Sequence, residues 1–417
     1  MPFSSLGLAP ALLRALAELS YTQPTPVQAA AIPPILAGRD VLAMAQTGSG
    51  KTAAFGLPLL QAQFKTPAGP RVARALVLVP TRELVAQVGA ALTGLSAHMA
   101  RRPKIAQLFG GVSINPQMMD LRGGADVVVA TPGRLLDLIE HNALSLAAVS
   151  LLVLDEADRL LDLGFSDELA RILALLPARR QSLFFSATFP PAVQALADQL
   201  LSDPVRVEVA RVAETVPDIV QRCIVVDEPR RTQLLKHLLL TERWPTALVF
   251  VATKYAATHV ADKLQRNGIS AGALHGDASQ GARSQALADF KSGHLQVLVA
   301  TDVAARGIDI ARLPAVVNYD LPRSPDDYIH RIGRTGRAGA SGVAVSFVNA
   351  DTEAHFRLIE KRHGLSLARE TVAGYAATAP LAPSILSVTD TVNGGIKGKR
   401  KSKKDKLREA AVQNDND

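Results

Sequence analysis

Only one cysteine, Cys223, occurs in the 417 residues. No internal disulfide can form, and a lone thiol suits a reducing compartment. Long apolar runs are missing as well. Runs such as Ser150–Leu154 have the length of a strand. A bilayer span needs roughly 20 residues, so no membrane attachment is expected. The opening Met1-Pro2-Phe3-Ser4-Ser5 has no basic stretch ahead of an apolar one, so no secretory leader is expected either. These absences together predict a cytoplasmic protein.

The chain does contain apolar residues in quantity, 48% of the total. Its length exceeds what one hydrophobic core usually organises, which predicts two domains. The net charge of +8 and pI near 9.7 favour a polyanionic partner. Much of this excess is local. Residues 397–408 carry eight Lys or Arg against Asp405, and with Glu409, Asp415 and Asp417 the stretch from 397 onward nets +4. Lacking an apolar face, such a segment reads as a disordered tail, either a tether for phosphates or a solubilising extension.

Short apolar runs alternate with longer amphipathic ones through the first two hundred residues. Strands are expected at Asp40–Ala43, Ala75–Val79, Asp126–Ala130, Ser150–Leu154 and Ser182–Phe185, with helices between them at Leu84–Leu95, Arg134–Glu140 and Ala192–Leu201. Continuous Val/Leu strands separated by helices indicate a parallel sheet covered on both faces. The pattern weakens near Asp203-Pro204 and Val216-Pro217-Asp218, which reads as a linker. It resumes with strands at Ala247–Val251, Gln296–Ala300 and Ala315–Tyr319, and helices at Lys254–Asn267, Gly281–Lys291 and Asp351–Arg362. The expected division is 1–207, a linker at 208–217, a second α/β domain at 218–370, and a tail at 371–417.

Ala45-Gln46-Thr47-Gly48-Ser49-Gly50-Lys51-Thr52 follows a strand and opens a helix. Glycines there let backbone N–H groups approach phosphate oxygens, Lys51 neutralises the β- and γ-phosphates, and the Thr52 hydroxyl suits Mg²⁺. Ala45 stands where the general pattern has Gly. Asp155-Glu156-Ala157-Asp158 directly follows the strand Leu151–Leu154. Alone it also reads as a solvated acidic turn. Paired with the upstream loop it makes a nucleotide site, with Asp155 for Mg²⁺ and Glu156 to activate water.

These motifs, together with Gln28, resemble the DEAD-box RNA helicase family over about residues 3–365. The stretch Phe109-Gly110-Gly111-Val112-Ser113-Ile114-Asn115-Pro116-Gln117-Met118-Met119 further resembles its bacterial RhlE-type branch. The resemblance implies two tandem RecA-like α/β domains and an ATP hydrolase that opens short RNA duplexes locally. It implies that Phe3 and the stretch Tyr21-Thr22-Gln23-Pro24-Thr25-Pro26-Val27-Gln28 read adenine, with Ser20 where the family has Gly. Ser186-Ala187-Thr188, by itself a strand-end hydroxyl cap, is implied to couple hydrolysis to strand separation. Thr81 and Arg82 of Pro80-Thr81-Arg82-Glu83, Gly110 and Gly111, and Thr131 and Arg134 of Thr131-Pro132-Gly133-Arg134 are implied to grip the RNA backbone. In the second domain Arg283 and Thr301 map to RNA contacts and Asp309 to a ribose contact. Arg334 and Arg337, within His330–Arg337, map to arginine fingers. Cofactors implied are ATP and Mg²⁺. RNA is the partner, with ribosome-assembly or RNA-decay proteins compatible, and a monomer is expected. Two other readings stay open: an ATP-gated RNA clamp with little unwinding, and a translocating DNA helicase.

Overall fold

A computed structural model describes residues 2–45, 48–63, 69–208, 219–305, 313–336 and 342–378. The first half builds a seven-stranded parallel sheet from β1 (Val41–Met44), β2 (Ala75–Leu78), β3 (Ile105–Leu108), β4 (Val127–Ala130), β5 (Leu151–Leu154), β6 (Gln181–Ser186) and β7 (Val205–Glu208), in the order β3-β4-β2-β5-β6-β1-β7. The second builds another from β8 (Ile219–Val225), β9 (Ala247–Val251), β10 (Ala271–Leu274), β11 (Val297–Thr301), β12 (Ala315–Asn318), β13 (Gly342–Val348) and β14 (Arg369–Glu370), in the order β10-β11-β9-β12-β13-β8-β14. Counted from the first strand of each half, the two orders are identical. Even a helix cap repeats. Thr81 and Thr253 each follow the second strand of their sheet, with backbone angles of −131°, 156° and −129°, 155°, and each hydroxyl accepts a backbone N–H of the next helix.

Alternation along the strands fills both faces. Ala75 and Val77 enter one core of the first half, with Leu12, Val27, Phe55 and Val88 from the helices on that side. Leu76 and Leu78 enter the other, with Leu135, Leu160, Ile172 and Val193. Central strands β2, β4, β5, β9, β11 and β12 are therefore buried throughout, as helix-covered parallel strands must be.

The edges depart from the sequence expectation. The stretch Val205–Glu208, beside the Asp203-Pro204 weakening, is strand β7, paired with β1 from Val41↔Val205 to Met44↔Glu208. Its Val-Arg-Val-Glu alternation reflects an edge half open to water, where a continuous apolar run is not needed. β3 and β10 lack a continuous apolar run for related reasons, the first alternating in burial and the second interrupted by Gly272.

The C-terminal boundary also lies later than expected. Residues 371–378 pack onto the second half: Tyr375 lies 5.3 Å from the His237 ring, and Thr378 donates its N–H and hydroxyl to Asp227 Oδ2, both at 2.9 Å. The remainder of the tail, and residues 209–218 of the linker, lie outside the described residues. Among those described, no helix is long and apolar enough to cross a membrane.

Candidate ATP and RNA site

In a parallel sheet every strand ends on the same edge, and ligands bind there. The strand order divides that edge in two. Strands β5, β6 and β1 end beside one another and carry Asp155-Glu156, Ser186-Ala187-Thr188 and the loop from Ala45 to Thr52. Strands β3, β4 and β2 end on the other side and carry Gly110-Gly111, Thr131 and Arg134, and Thr81-Arg82. Nucleotide candidates and RNA candidates thus occupy neighbouring halves of one edge.

On the nucleotide side, Gly48 and Gly50 take left-handed φ values of 83° and 93°, open chiefly to glycine. Gly50 is also crowded. A Cβ there would fall 2.4 Å from Gln28 Nε2 and 3.0 Å from Thr25 Oγ1. Gln28 Nε2 donates to Gly50 O at 3.1 Å, and Gln28 Oε1 accepts from Thr25 N at 2.9 Å. Thr25 and Gln28 stand at the capping-box positions of helix Pro26–Leu36, with Gln28 Oε1 accepting the Thr25 N–H. Gln28 is therefore buried against the phosphate loop. Phe3 is in the core, 5% exposed, and meets Tyr21 edge-on at 6.4 Å. Gln23 is exposed. Ser20 has φ of 61°, so the turn keeps the left-handed form natural to Gly, at a cost of about 1–2 kcal/mol. Gln46 and Thr47 lie outside the described residues.

Lys51 opens helix Lys51–Gln63, with Thr52 partly exposed beside it. The Lys51 Nζ is buried, lies 3.6 Å from Asp155 Oδ1, and has no hydrogen-bond partner among the described residues. Burial pushes the Asp155 carboxyl up to about 6 despite the pull of Lys51. An under-solvated cation facing an under-compensated carboxylate could hold phosphate oxygens and a divalent cation. Glu156, next along, takes left-handed angles of 53° and 51° at the start of helix Ala157–Asp162. Such a conformation in a non-glycine residue costs on the order of 1–3 kcal/mol and clusters at functional sites.

Asp158 joins the acidic tetrad to the end of β6. Its Oδ2 accepts from Thr188 N at 3.1 Å and Thr188 Oγ1 at 2.9 Å, while Ser186 Oγ donates to Thr188 O at 2.7 Å and accepts from Asp158 N at 3.3 Å. These bonds tie the acidic tetrad directly to Ser186-Ala187-Thr188.

Across the cleft, the helix Pro325–Ile332 of the second half faces this edge. Glu156, Asp158 and Ala187 from one side line the same cavity as Asp327, His330 and Arg334 from the other. Arg334 is buried, 9% exposed. Burial and then the Arg159 charge lower the His330 imidazole to about 4, so it is neutral near pH 7. Arg337 and Asp309 lie outside the described residues. Arg331 holds the second half together. Its guanidinium pairs with both oxygens of Asp302 at 2.6 and 2.7 Å and lies 4.8 Å from the Phe250 ring centre.

On the RNA side, Thr81 Oγ1 accepts from Leu84 N at 3.3 Å and so caps its helix. Gly110 has open space around it, whereas Gly111, with φ of 73°, lies against the Arg82 guanidinium, 2.1 Å from where a Cβ would stand. Thr131 is buried, and Arg134 Nη2 donates to Val112 O at 2.7 Å while its Nε and Nη1 find no hydrogen-bond partner among the described residues. Thr301 ends β11, and Arg283 lies on the helix after β10, the corresponding half of the second edge. Arg283 also has a partner within the protein. Its Nη2 pairs with Glu83 Oε1 at 2.7 Å, both side chains nearly buried.

The pairings Glu83–Arg283 and Arg159–Asp327 carried no signal in the sequence, because the partners lie far apart along the chain. Thr25 had one: Thr-x-x-Gln ahead of an apolar run is a capping box.

Residues 25–196 match the DEAD/DEAH box helicase family and residues 230–339 the helicase conserved C-terminal domain. The chain is 45% identical over 365 residues to the ATP-dependent RNA helicase DeaD of Escherichia coli K12, covering 88% of this chain and 57% of that protein. It thus spans little more than half the length of the first curated relatives it matches. It is 41% identical over 394 residues to DeaD of Mycobacterium tuberculosis, covering 94% of this chain and 69% of the relative. Among solved structures, Saccharomyces cerevisiae Dbp5 bound to RNA and ADP BeF3 superposes with a TM-score of 0.77 at 33% identity, covering 89% of this chain and 95% of that one. Two helicase family matches, paired sheets of one strand order and extended identity leave one assignment: the chain belongs to the DEAD-box helicase family.

Proposed function

We propose that the chain is an ATP-dependent RNA helicase that grips RNA by its backbone and opens short duplexes, or remodels RNA–protein complexes, as it hydrolyses ATP. The observation that carries this reading is the division of the candidate residues between the two halves of the protein. Glu156 and Lys51 are in one half of the protein and Arg334 is in the other, and the RNA candidates are split likewise. ATP and RNA both favour closure, so each raises affinity for the other by linkage. Gly48, Ser49, Gly50 and Lys51 hold the phosphates. Thr52 and Asp155 hold Mg²⁺, which supplies charge neutralisation at the phosphates. Glu156 takes the proton of the attacking water, and Arg334 and Arg337 stabilise charge at the γ-phosphate. Thr81, Arg82, Gly110, Gly111, Thr131, Arg134, Arg283 and Thr301 meet RNA. Phe109–Met119 supports placement in the RhlE-type branch, and the protein works as a cytoplasmic monomer.

Single-turnover strand displacement tests the reading. A short RNA duplex should separate only with ATP. ATP-dependent RNA binding without displacement would make the protein a clamp, and processive opening of long DNA would make it a translocating helicase.

Gln28 gives a sharper test of the nucleotide side. Thr25 and Gly50 orient its amide while leaving one N–H and one oxygen lone pair for a base edge. Gln28→Ala should erode the kcat/KM preference for ATP over GTP by about 1–3 kcal/mol, as for other amide–adenine pairs. An unchanged ratio would leave Gln28 as a brace for the phosphate loop alone.

A further inference from the structure

Arg159 follows Glu156 by three positions, in the first turn of helix Ala157–Asp162. Its Nη1 donates to Asp327 Oδ1, in the other half of the protein, at 2.9 Å, and the two side chains are only 11% and 13% exposed. Its local neighbour Asp162 is farther, at 3.4 Å, and 57% exposed, so solvent screens that pair more. Burial disfavours the guanidinium charge, but the hydrogen bond to Asp327 together with the charges of Asp327, Asp158 and Asp162 outweighs it and holds the group above its ordinary range. A sheltered ion pair adds little net stability when intact, but losing one partner strands a buried charge.

Asp327 is firmly mounted. It lies on helix Pro325–Ile332 beside Tyr328, which is fully buried with its hydroxyl donating to Gln221 Oε1 at 3.0 Å. One turn on, Arg331 is clamped by Asp302. The turn continues through Gly333 N to Ile329 O and Arg334 N to Arg331 O. Positions i, i+3 and i+7 share a helix face, and Asp327, His330 and Arg334 keep that spacing and line one cavity with Glu156.

We infer that the Arg159–Asp327 pair pins the register of the closed cleft, setting where Arg334 stands relative to Glu156 without touching the reacting atoms. It joins the residue one turn past the proposed base to the residue two turns before the proposed finger, each on a rigid helix. These are positioning residues. They matter once the cleft closes, and ATP binding to the phosphate loop alone does not require them.

The inference rests on the proposed ATPase reading, and the test separates the two. Full-length chains carrying Arg159→Asp, Asp327→Arg, both together, or Asp327→Asn are compared for RNA-stimulated ATP hydrolysis and for binding of a fluorescent ATP analogue without RNA. Each single charge reversal should lower kcat by about tenfold or more, while analogue affinity stays within about twofold. The charge-swapped double should recover at least about fivefold over the worse single variant. Asp327→Asn, which keeps shape, should hold the wild-type Tm within a few degrees and still lose kcat. A double variant no better than the product of the singles overturns the pin, as does Asp327→Asn with native Tm and native kcat. A wild-type chain without RNA-stimulated hydrolysis would overturn the enzyme reading itself.

Discussion

Glu156→Gln should collapse ATP turnover while ATP-dependent RNA binding persists or tightens. Gln matches Glu in shape and removes its basicity, so the loss isolates proton abstraction. General-base catalysis contributes about 10²–10⁴-fold, and turnover should fall within that range. The backbone supports the role. Glu156 is held at left-handed angles with 6% exposure, between the Asp155 carboxylate and a helix whose next acid, Asp158, grips Thr188. The binding prediction follows from the split site: closure depends on ATP and RNA contacts that Gln leaves in place, and blocked hydrolysis removes the step that reopens the cleft. RNA affinity is measured with ATP and with ADP, alongside steady-state turnover. Near-normal hydrolysis would remove Glu156 from the mechanism.

Arg334→Lys should lower kcat by at least about 10²-fold with a modest change in ATP affinity. Removing an arginine finger outright costs about 10³–10⁵. Lysine keeps the charge but loses the planar fork that spans two phosphate oxygens. Arg334 is buried in the cavity it shares with Glu156, so its guanidinium enters a water-poor site where a misplaced charge is poorly screened. A Lys variant that turns over bound ATP at the native rate but fails to bind it would make Arg334 a ground-state anchor. The same substitution at Arg337 asks whether the two arginines act together.

Contiguous motifs were legible because their chemistry is local. Ala45–Thr52 carries its meaning within a few residues, whereas Asp155–Asp158 needed that loop and Ser186–Thr188 the family resemblance beside it; all three stand by strands whose continuous apolar runs mark double burial. Gly48 and Gly50, read in the sequence as giving backbone access to phosphate, take left-handed φ in the structure. The paired α/β architecture was legible for the same reason, through central strands such as Ala247–Val251. Edge strands escaped, because β7 needs only one apolar side chain in two, and Val-Arg-Val-Glu looks like a loop with hydrophobic residues.

The sequence by itself marked candidate residues for phosphate chemistry and determined that two similar domains carry them. Only the tertiary structure decided what those residues do to one another. It turned Gln28 onto Gly50, set Asp158 on Thr188, paired Arg283 with Glu83, and joined Arg159 to Asp327. It also drew Tyr375 onto His237, extending the second domain past the point where composition turns polar. The reason is that ion pairs and hydrogen bonds need atoms within a few ångströms, and separation along the chain does not encode that distance. Strand order does, by bringing strand ends to one edge, and no single segment of the chain records it.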